Sequence, residues 1–224
     1  MRYRSARAGV VASAMGAMVL GAATRSIAVP VTFDFEDQVA TDNNFNPPGA
    51  LTTLTMIKGG ITATMTRAGG KRFDITNATA GGFPLPAGQG DKALSPFFDT
   101  TSGAFVVNFS QPLGSVSVLE GDFQPSDADS LSLQAFSGLN GTGTLLGTAT
   151  NTLPDNTGSG WLFRSLSLSG LAGAQSVVMD GGSPSFPTSV FFDNLTVNAV
   201  PEPASLCVAG GAFVLITTRR ARRH

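Results

Sequence analysis

The sequence predicts an all-β fold, an antiparallel jelly-roll-type β-sandwich that is flanked by an N-terminal signal helix and a C-terminal transmembrane helix. Three observations support this prediction. Short runs of alternating apolar and polar residues recur through the middle of the chain, and Gly, Pro, Ser, Thr and Asn separate them at short intervals. No run in this region has the period of an amphipathic helix. About ten such strands suit two packed sheets that each bury one face.

The first 28 residues have the three parts of a secretory signal peptide. A basic start precedes an apolar stretch over residues 10–23, and Ser26-Ile27-Ala28 gives the small-x-small pattern of a cleavage site. Arg25 interrupts the approach to that site, so an uncleaved N-terminal anchor is the alternative. Both interpretations export the following domain, residues 29–199, through Sec-type machinery, and cleavage requires signal peptidase.

Charge is distributed unevenly between the ends and the middle of the chain. Eight of the 14 basic residues lie in the two ends, whereas 14 of the 15 acidic residues lie between residues 29 and 200, which gives the middle a net charge of about −8. Such a surface argues against nucleic acid as a partner and favours divalent cations. The single cysteine and the single histidine, Cys207 and His224, lie near the C-terminus. Disulfides, thiolate metal sites and Ser-His-Asp triads are therefore excluded from the middle domain.

The clearest strand runs from Asp129 to Phe136, where apolar and polar residues alternate throughout. Between Trp161 and Leu168 the apolar parity changes near Arg164-Ser165, which predicts a β-bulge. Further strands are predicted at Ile61–Met65, Phe105–Phe109, Val116–Leu119, Leu166–Leu168 and Val190–Val197.

Three segments predict long loops, namely Thr41–Ala50, Thr79–Lys92 and Asp180–Pro187. Ordinary surface loops are one interpretation, and the rim of a ligand-binding site is the other. The only tryptophan, Trp161, has two interpretations as well: a side chain that stacks on a sugar ligand, or a core tryptophan at the start of a strand.

The C-terminal segment, residues 200–224, has three blocks. Pro201-Glu202-Pro203 ends the last strand, residues 204–218 carry no charge, and an arginine cluster follows, consisting of Arg219, Arg220, Arg222 and Arg223. At about 1.5 Å per residue, a helix over residues 204–218 reaches roughly 22 Å, so it spans a bilayer only with snorkelling flanks. The arginines then remain at the cytoplasmic face. A buried core helix is the alternative.

This order of Pro-Glu-Pro, apolar helix and arginine cluster resembles the PEP-CTERM sorting signal of exported bacterial proteins. The resemblance implies that Pro201, Glu202, Pro203 and the four arginines are recognised by an exosortase-like membrane enzyme. It also implies that the chain is anchored in the bacterial envelope before processing. After processing it reaches the cell surface or the extracellular matrix, in association with exopolysaccharide.

The two ends of the domain carry a second resemblance. A Phe-Glu opening at Phe35-Glu36 and a final strand of the form aromatic-aromatic-Asp-Asx at 191–194 are similar to jelly-roll carbohydrate-binding modules. That resemblance implies adjacent terminal strands with an acid from each, Glu36 and Asp193, that hold a structural Ca²⁺.

Strand parity gives a physical reason for a cation at this place. Alternation puts Asp193 on the face of Leu195 and Val197, where an unpaired carboxylate is costly unless it meets a donor, a proton or a cation. In the first strand, parity selects Asp37 rather than Glu36, so both are candidates beside Asp193. Oxygen ligands suit Ca²⁺. Backbone amides that donate to Asp193 are the alternative.

A second acidic group is interpreted as a solvated loop, with metal ligation as the alternative. It consists of Glu120, Asp122, Asp127 and Asp129.

Three functions are compatible with these features. The first is a non-enzymatic exported surface protein of the envelope or its polysaccharide matrix. The second is a glycan binder of the carbohydrate-binding-module type, which the shortage of Trp and Tyr disfavours. The third is a glycan-active enzyme that uses two carboxylates. No pair of acids is marked as such by its context, so the sequence predicts a protein that is not an enzyme.

Overall fold

The computed structural model describes residues 29–42, 50–96, 103–157 and 160–200. The strands in these residues pair in antiparallel fashion throughout, so the predicted all-β antiparallel class is confirmed. They are β1 (Val31–Phe33), β2 (Thr53–Lys58), β3 (Ile61–Arg67), β4 (Asp74–Asn77), β5 (Lys92–Ser95), β6 (Phe105–Phe123), β7 (Asp129–Phe136), β8 (Leu145–Leu153), β9 (Trp161–Gly182) and β10 (Phe191–Ala199).

The predicted signal helix and the predicted transmembrane helix fall at residues 1–28 and 204–218, outside the described residues, and the sorting motif lies outside them as well. Within the four described ranges, no helix is both long enough and apolar enough to cross a membrane. The assignments for both ends of the chain stay predictions.

Two long strands, β6 and β9, organise the domain because each pairs in two separate stretches. The start of β6 and the end of β9 lie in a first group with the order β2, β3, β6, β9, β7, β8. The end of β6 and the start of β9 lie in a second group with the order β4, β5, β10, β6, β9, where β1 also pairs with β10. A register shift between Asn108 and Leu113 separates the two stretches of β6.

One buried cluster combines side chains of both groups. Met65 and Leu133 come from the first group, whereas Val118 and Phe192 come from the second. The two groups therefore enclose a common core. This core positions the loops at the ends of β1, β6 and β9, where the acidic residues lie.

A smaller apolar cluster lies apart from this core and explains the parity change in β9. Trp161 and Phe163 pack against the buried Phe191 in this second cluster, whereas Leu166 belongs to the main core. The pairing of β9 with β6 runs without a shift from Trp161 to Ser169, so the predicted bulge near Arg164-Ser165 is wrong. Both faces of the strand are covered at its start, and apolar residues on both faces gave the false signal.

A β-bulge does occur in β10. Its register with β6 shifts between Asp193 and Thr196, and Asn194 has a positive φ of 48°. As a result Phe192, Leu195 and Val197 all contribute to the main core. Strict alternation does not hold across this bulge. Asp193 is nevertheless fully buried, as its predicted inward position requires.

Candidate functional site

The terminal strands lie side by side, as the resemblance to carbohydrate-binding modules implied. β1 pairs with the second half of β10, with Val31 opposite Val197 and Phe33 opposite Leu195. The turn after β1 carries Asp34, Glu36 and Asp37. We call these three acids, together with Asp193, the terminal-strand acids.

Asp193 is the buried member of the terminal-strand acids. Its side chain is fully buried, and its Oδ1 accepts a hydrogen bond from the Asn194 backbone N–H at 2.6 Å. Burial, and then the charges of Glu36 and Asp34, raise the pKa of Asp193 to about 7. The structure thus brings Asp193 and Glu36 into electrostatic contact. It also provides one of the backbone donors that the alternative interpretation required.

Two lysines supply positive charge to this region. Lys58 Nζ lies 2.6 Å from Asp34 Oδ1 and 3.0 Å from Asp37 Oδ2. Lys92 Nζ donates to the backbone carbonyls of Glu36 and Gln38 at 2.7 and 2.8 Å. Asp37 is therefore engaged in a partly exposed ion pair with Lys58.

Glu36 is held by the backbone rather than by a neighbouring side chain. Its Oε1 accepts hydrogen bonds from the backbone N–H groups of Asp91 and Lys92 at 2.9 and 2.8 Å. In the described ranges, no set of three or more acidic, His or Cys side chains is arranged to hold a metal ion. A cation at the terminal-strand acids would have to be held chiefly by Asp193, Glu36 and backbone oxygens.

The second acidic group is not a solvated loop. Glu120 and Asp129 are fully buried, and Asp122 is 8% exposed, whereas Asp127 is partly exposed. Asp129 Oδ1 accepts a hydrogen bond from Ser189 Oγ at 3.0 Å, and Asp129 Oδ2 has no hydrogen-bond partner. The carboxyls of Asp122 and Asp129 lie within hydrogen-bonding reach of each other. We call these two residues the buried aspartate pair.

Burial is the largest cause of the raised pKa values of the buried aspartate pair. Burial, and then the charge of Asp129, raise the pKa of Asp122. Burial also raises the pKa of Asp129, and the charge of Asp127 acts in the same direction. The sequence contains these acids, but their burial could not be deduced from it, because Asp is usually exposed.

A cavity of about 200 Å³ lies where β7 and β9 meet the loop after β9. Ser130, Ser132, Asp180, Ser183 and Pro187 line it together with neighbouring backbone. Three of these lie in the predicted Asp180–Pro187 loop, although Asp180 to Gly182 still belong to β9. This location agrees with the interpretation of that loop as the rim of a site. The lining offers hydroxyl groups and one carboxyl, which are suited to hydrogen-bonding a small polar ligand.

Trp161 lies in the smaller apolar cluster and is partly exposed. Its indole N–H donates to the Phe83 carbonyl at 2.9 Å. Its ring packs edge-on against Phe123 and Phe191, with centroids 5.3 and 5.2 Å away. These contacts account for the side chain by packing, and stacking of Trp161 on a sugar stays a prediction.

No protein-family model matches the sequence, and no curated protein matches it. Among solved structures, a DUF4465 family protein from Bacteroides caccae shares 16% identity over 76% of this chain and 99% of its own, with a TM-score of 0.45. The K2 cleaved adhesin domain of Lys-gingipain, a protein of Porphyromonas gingivalis, shares 13% identity over 75% and 99%, with a TM-score of 0.46. The CBM22-1 xylan-binding domain from Paenibacillus barcinonensis Xyn10C shares 13% identity over 81% and 99%, with a TM-score of 0.39. Similarity at this level carries no conclusion about ligand or activity.

Proposed function

We propose that this chain is a non-enzymatic, exported bacterial surface protein whose β domain is a jelly-roll-type sandwich that contacts exopolysaccharide. The observation that carries the glycan part is the hydroxyl-rich outer face of the first strand group, next to the cavity. On β7 and β8, Ser130 pairs with Thr152 and Ser132 pairs with Thr150. Ser132 also pairs with Asp180 on β9.

Hydroxyl groups at such spacing are suited to neutral polysaccharide. Ser130, Thr150 and Thr152 are exposed, and Ser132 is partly exposed. Each hydroxyl can donate one hydrogen bond and accept two, which matches the hydroxyl groups of a sugar. Since these side chains are uncharged, a neutral glycan does not have to displace an ion pair to bind there.

Hydrolysis of a glycan needs two carboxyl groups that both reach the substrate. Among the described residues, Asp180 is the one carboxyl that lines the cavity. Glu120 lies near enough to feel the charge of Asp180, but it is fully buried and does not line the cavity. This arrangement favours binding over catalysis.

Glycan binding is tested by native electrophoresis of the full chain, in mild detergent, through gels that contain soluble bacterial exopolysaccharides. We expect a neutral polysaccharide to retard the protein, and the double variant S130A/S132A to bind about tenfold more weakly because two hydrogen-bonding groups are lost. The matched control is S165A/S167A, which replaces two exposed serines of β9 outside the cavity. The glycan proposal fails if no polysaccharide retards the protein, or if both double variants weaken binding equally.

A structural Ca²⁺ at the terminal-strand acids belongs to this proposal. Its support is the buried carboxyl of Asp193 beside Glu36, and its competitors are Lys58 and Lys92. We expect calcium to raise the melting temperature of the full chain relative to chelator, and D193N to reduce that rise, because a ligand of the folded state stabilises it. D37N serves as the control, since Asp37 is paired with Lys58. A rise that D193N leaves unchanged contradicts calcium at this place.

Export and sorting complete the proposal. Sec-type machinery and signal peptidase act on residues 1–28, and an exosortase-like enzyme acts on the Pro201-Glu202-Pro203 signal. Sequence order supports this part of the proposal, because an apolar segment with flanking arginines stands at each end of one acidic domain.

A further inference from the structure

The buried aspartate pair presents two carboxyl groups to each other, and the hydroxyl of Ser189 is a donor that lies beside both of them. Asp129 is fully buried and Asp122 nearly so. Asp122 Oδ1 accepts a hydrogen bond from the Phe123 backbone N–H at 2.6 Å, whereas Asp129 Oδ2 accepts none. A buried carboxylate oxygen without a donor is costly, and two facing carboxylates also repel each other. This arrangement requires a proton or a cation.

The surrounding groups supply oxygen and negative charge. Ser189 Oγ lies 3.0 Å from Asp129 Oδ1 and 3.1 Å from the Phe186 carbonyl. Asp122 is a further acceptor within reach of the same hydroxyl. A hydroxyl has one proton, so it can satisfy only one of these three acceptors at a time, and its lone pairs remain free to bind a cation. The charge of Asp127 acts on Asp129 as well. No lysine or arginine of the described chain is among the groups that perturb the pKa of either aspartate.

This is the opposite of the situation at the terminal-strand acids. There, Lys58 bridges Asp34 and Asp37, and Lys92 occupies two backbone carbonyls. The protein thus provides its own cations at the terminal-strand acids. Within the described residues, no lysine or arginine has this role at the buried aspartate pair.

We propose that Asp122, Asp129 and Ser189 form a second divalent-cation site, which takes Ca²⁺. All of its donors are oxygen atoms, which a hard cation prefers, and waters can complete the six to eight ligands that Ca²⁺ takes. A proton shared between the two aspartates is the competing state, and bound Ca²⁺ would displace it. Ca²⁺ here ties the end of β6, the start of β7 and the approach to β10 into one unit.

The experiment uses the full chain in mild detergent after removal of metal by chelation. Calcium binding is measured by isothermal titration calorimetry at neutral pH, for the wild type and for D122N and D129N. We expect each substitution to weaken this site at least tenfold, because each removes a charged oxygen ligand. D155N, which alters an exposed aspartate in the loop before β9, and D193N, which alters the terminal-strand acids, are expected to leave this site intact.

A second readout is local to the site. The Trp161 ring packs on the ring of Phe123, the residue that follows Asp122. Excitation of Trp161 should therefore sensitise the luminescence of Tb³⁺ bound in place of Ca²⁺. We expect this signal in the wild type and in D193N, and its loss in D129N.

Asn has nearly the same shape as Asp, so D122N and D129N test calcium binding without removing the packing that the fold needs. Asn removes the repulsion between two buried acids, so D129N in chelator is expected to melt at or above the temperature of the wild type. The proposal is overturned if the wild type binds no calcium, or if D122N and D129N bind it as the wild type does. The second result would assign any calcium to the terminal-strand acids, and the first would leave a shared proton between the aspartates.

Discussion

Glu120 lies in an environment that is unusual for a glutamate. It continues the inward-facing row of Val116 and Val118 on β6, it is fully buried, and neither of its carboxyl oxygens has a hydrogen-bond partner. Burial, and then the charge of Asp180, raise the pKa of Glu120 from 4.5 to about 9. At neutral pH the folded protein therefore holds this proton, whereas the unfolded chain releases it.

This difference predicts that stability falls as pH rises. Below pH 4.5 Glu120 is protonated in both states, and between pH 4.5 and about 9 only the unfolded state ionises it. The free energy of unfolding then falls by about 1.4 kcal/mol per pH unit, which amounts to about 3 kcal/mol by pH 7. We expect the free energy of unfolding in urea, measured with chelator present, to be lower at pH 8 than at pH 5.

The substitution E120Q isolates this effect. Gln cannot ionise, so E120Q should be more stable than the wild type by about 2 kcal/mol or more at pH 8 and close to it at pH 5. D91N, at an exposed aspartate, should follow the wild-type pH dependence. Parallel curves for E120Q and the wild type would show that Glu120 does not hold the proton.

The burial of Glu120 shows where sequence reasoning ends at the residue scale. The alternation of Val116 and Val118 extends to Glu120, which lies one residue beyond the predicted strand. A glutamate is seldom found in a core, so its sequence position did not indicate burial. The acids at positions 120, 122, 127 and 129 were predicted to lie in a solvated loop, whereas Glu120, Asp122 and Asp129 are buried. Their burial depends on β7, β9 and Ser189, which are distant in sequence.

At the scale of the element, strands were predictable where one face is apolar and the backbone is regular. β7 has the bounds that alternation predicted, Asp129–Phe136. The segments Phe105–Phe109 and Val116–Leu119 were predicted as two strands but form one, β6. Pro112 lies between them and cannot donate to a ladder, and the register shift from Asn108 to Leu113 accommodates it. Alternation alone does not show that a strand continues through such a shift.

The bulge in β10 gives a prediction at this scale. Asn194 has a φ of 48°, which Asn tolerates and a β-branched residue does not. We expect N194V to lower the free energy of unfolding by about 1 to 3 kcal/mol, since Val must adopt a strained backbone or straighten the strand. Chemical denaturation of the full chain measures the loss.

N194G is the matched control for this prediction. It removes the same side chain, including its contact with Asp193 at 3.4 Å, but it accepts a positive φ without strain. N194G should therefore be more stable than N194V by at least 1 kcal/mol. Equal losses would mean that the side chain of Asn194, and not its backbone conformation, stabilises the bulge.

At the scale of the whole molecule, the class of the fold and the adjacency of its terminal strands were predictable, whereas the site was predictable only in part. Glu36 and Asp193 lie in electrostatic contact, but Asp37 is paired with Lys58. Lys58 is at the end of β2, and no local pattern links it to the turn after β1. Long-range ion pairs of this kind follow from tertiary packing, which periodicity does not encode.

The last prediction concerns the route of the chain rather than its fold. If Pro201-Glu202-Pro203 is a sorting signal, then P201A/P203A should leave the unprocessed, full-length chain in the membrane of its native host. The physical reason is that two prolines hold an extended, donor-free segment ahead of the apolar run, and a processing enzyme needs such an accessible segment. Immunoblots of membrane and extracellular fractions measure the ratio of unprocessed to processed chain.

The control P154A/P184A replaces two exposed prolines within the β domain and should be processed normally. Normal processing of P201A/P203A would remove the sorting signal from the proposed function and leave the glycan-binding face and both cation sites to be judged by their own tests.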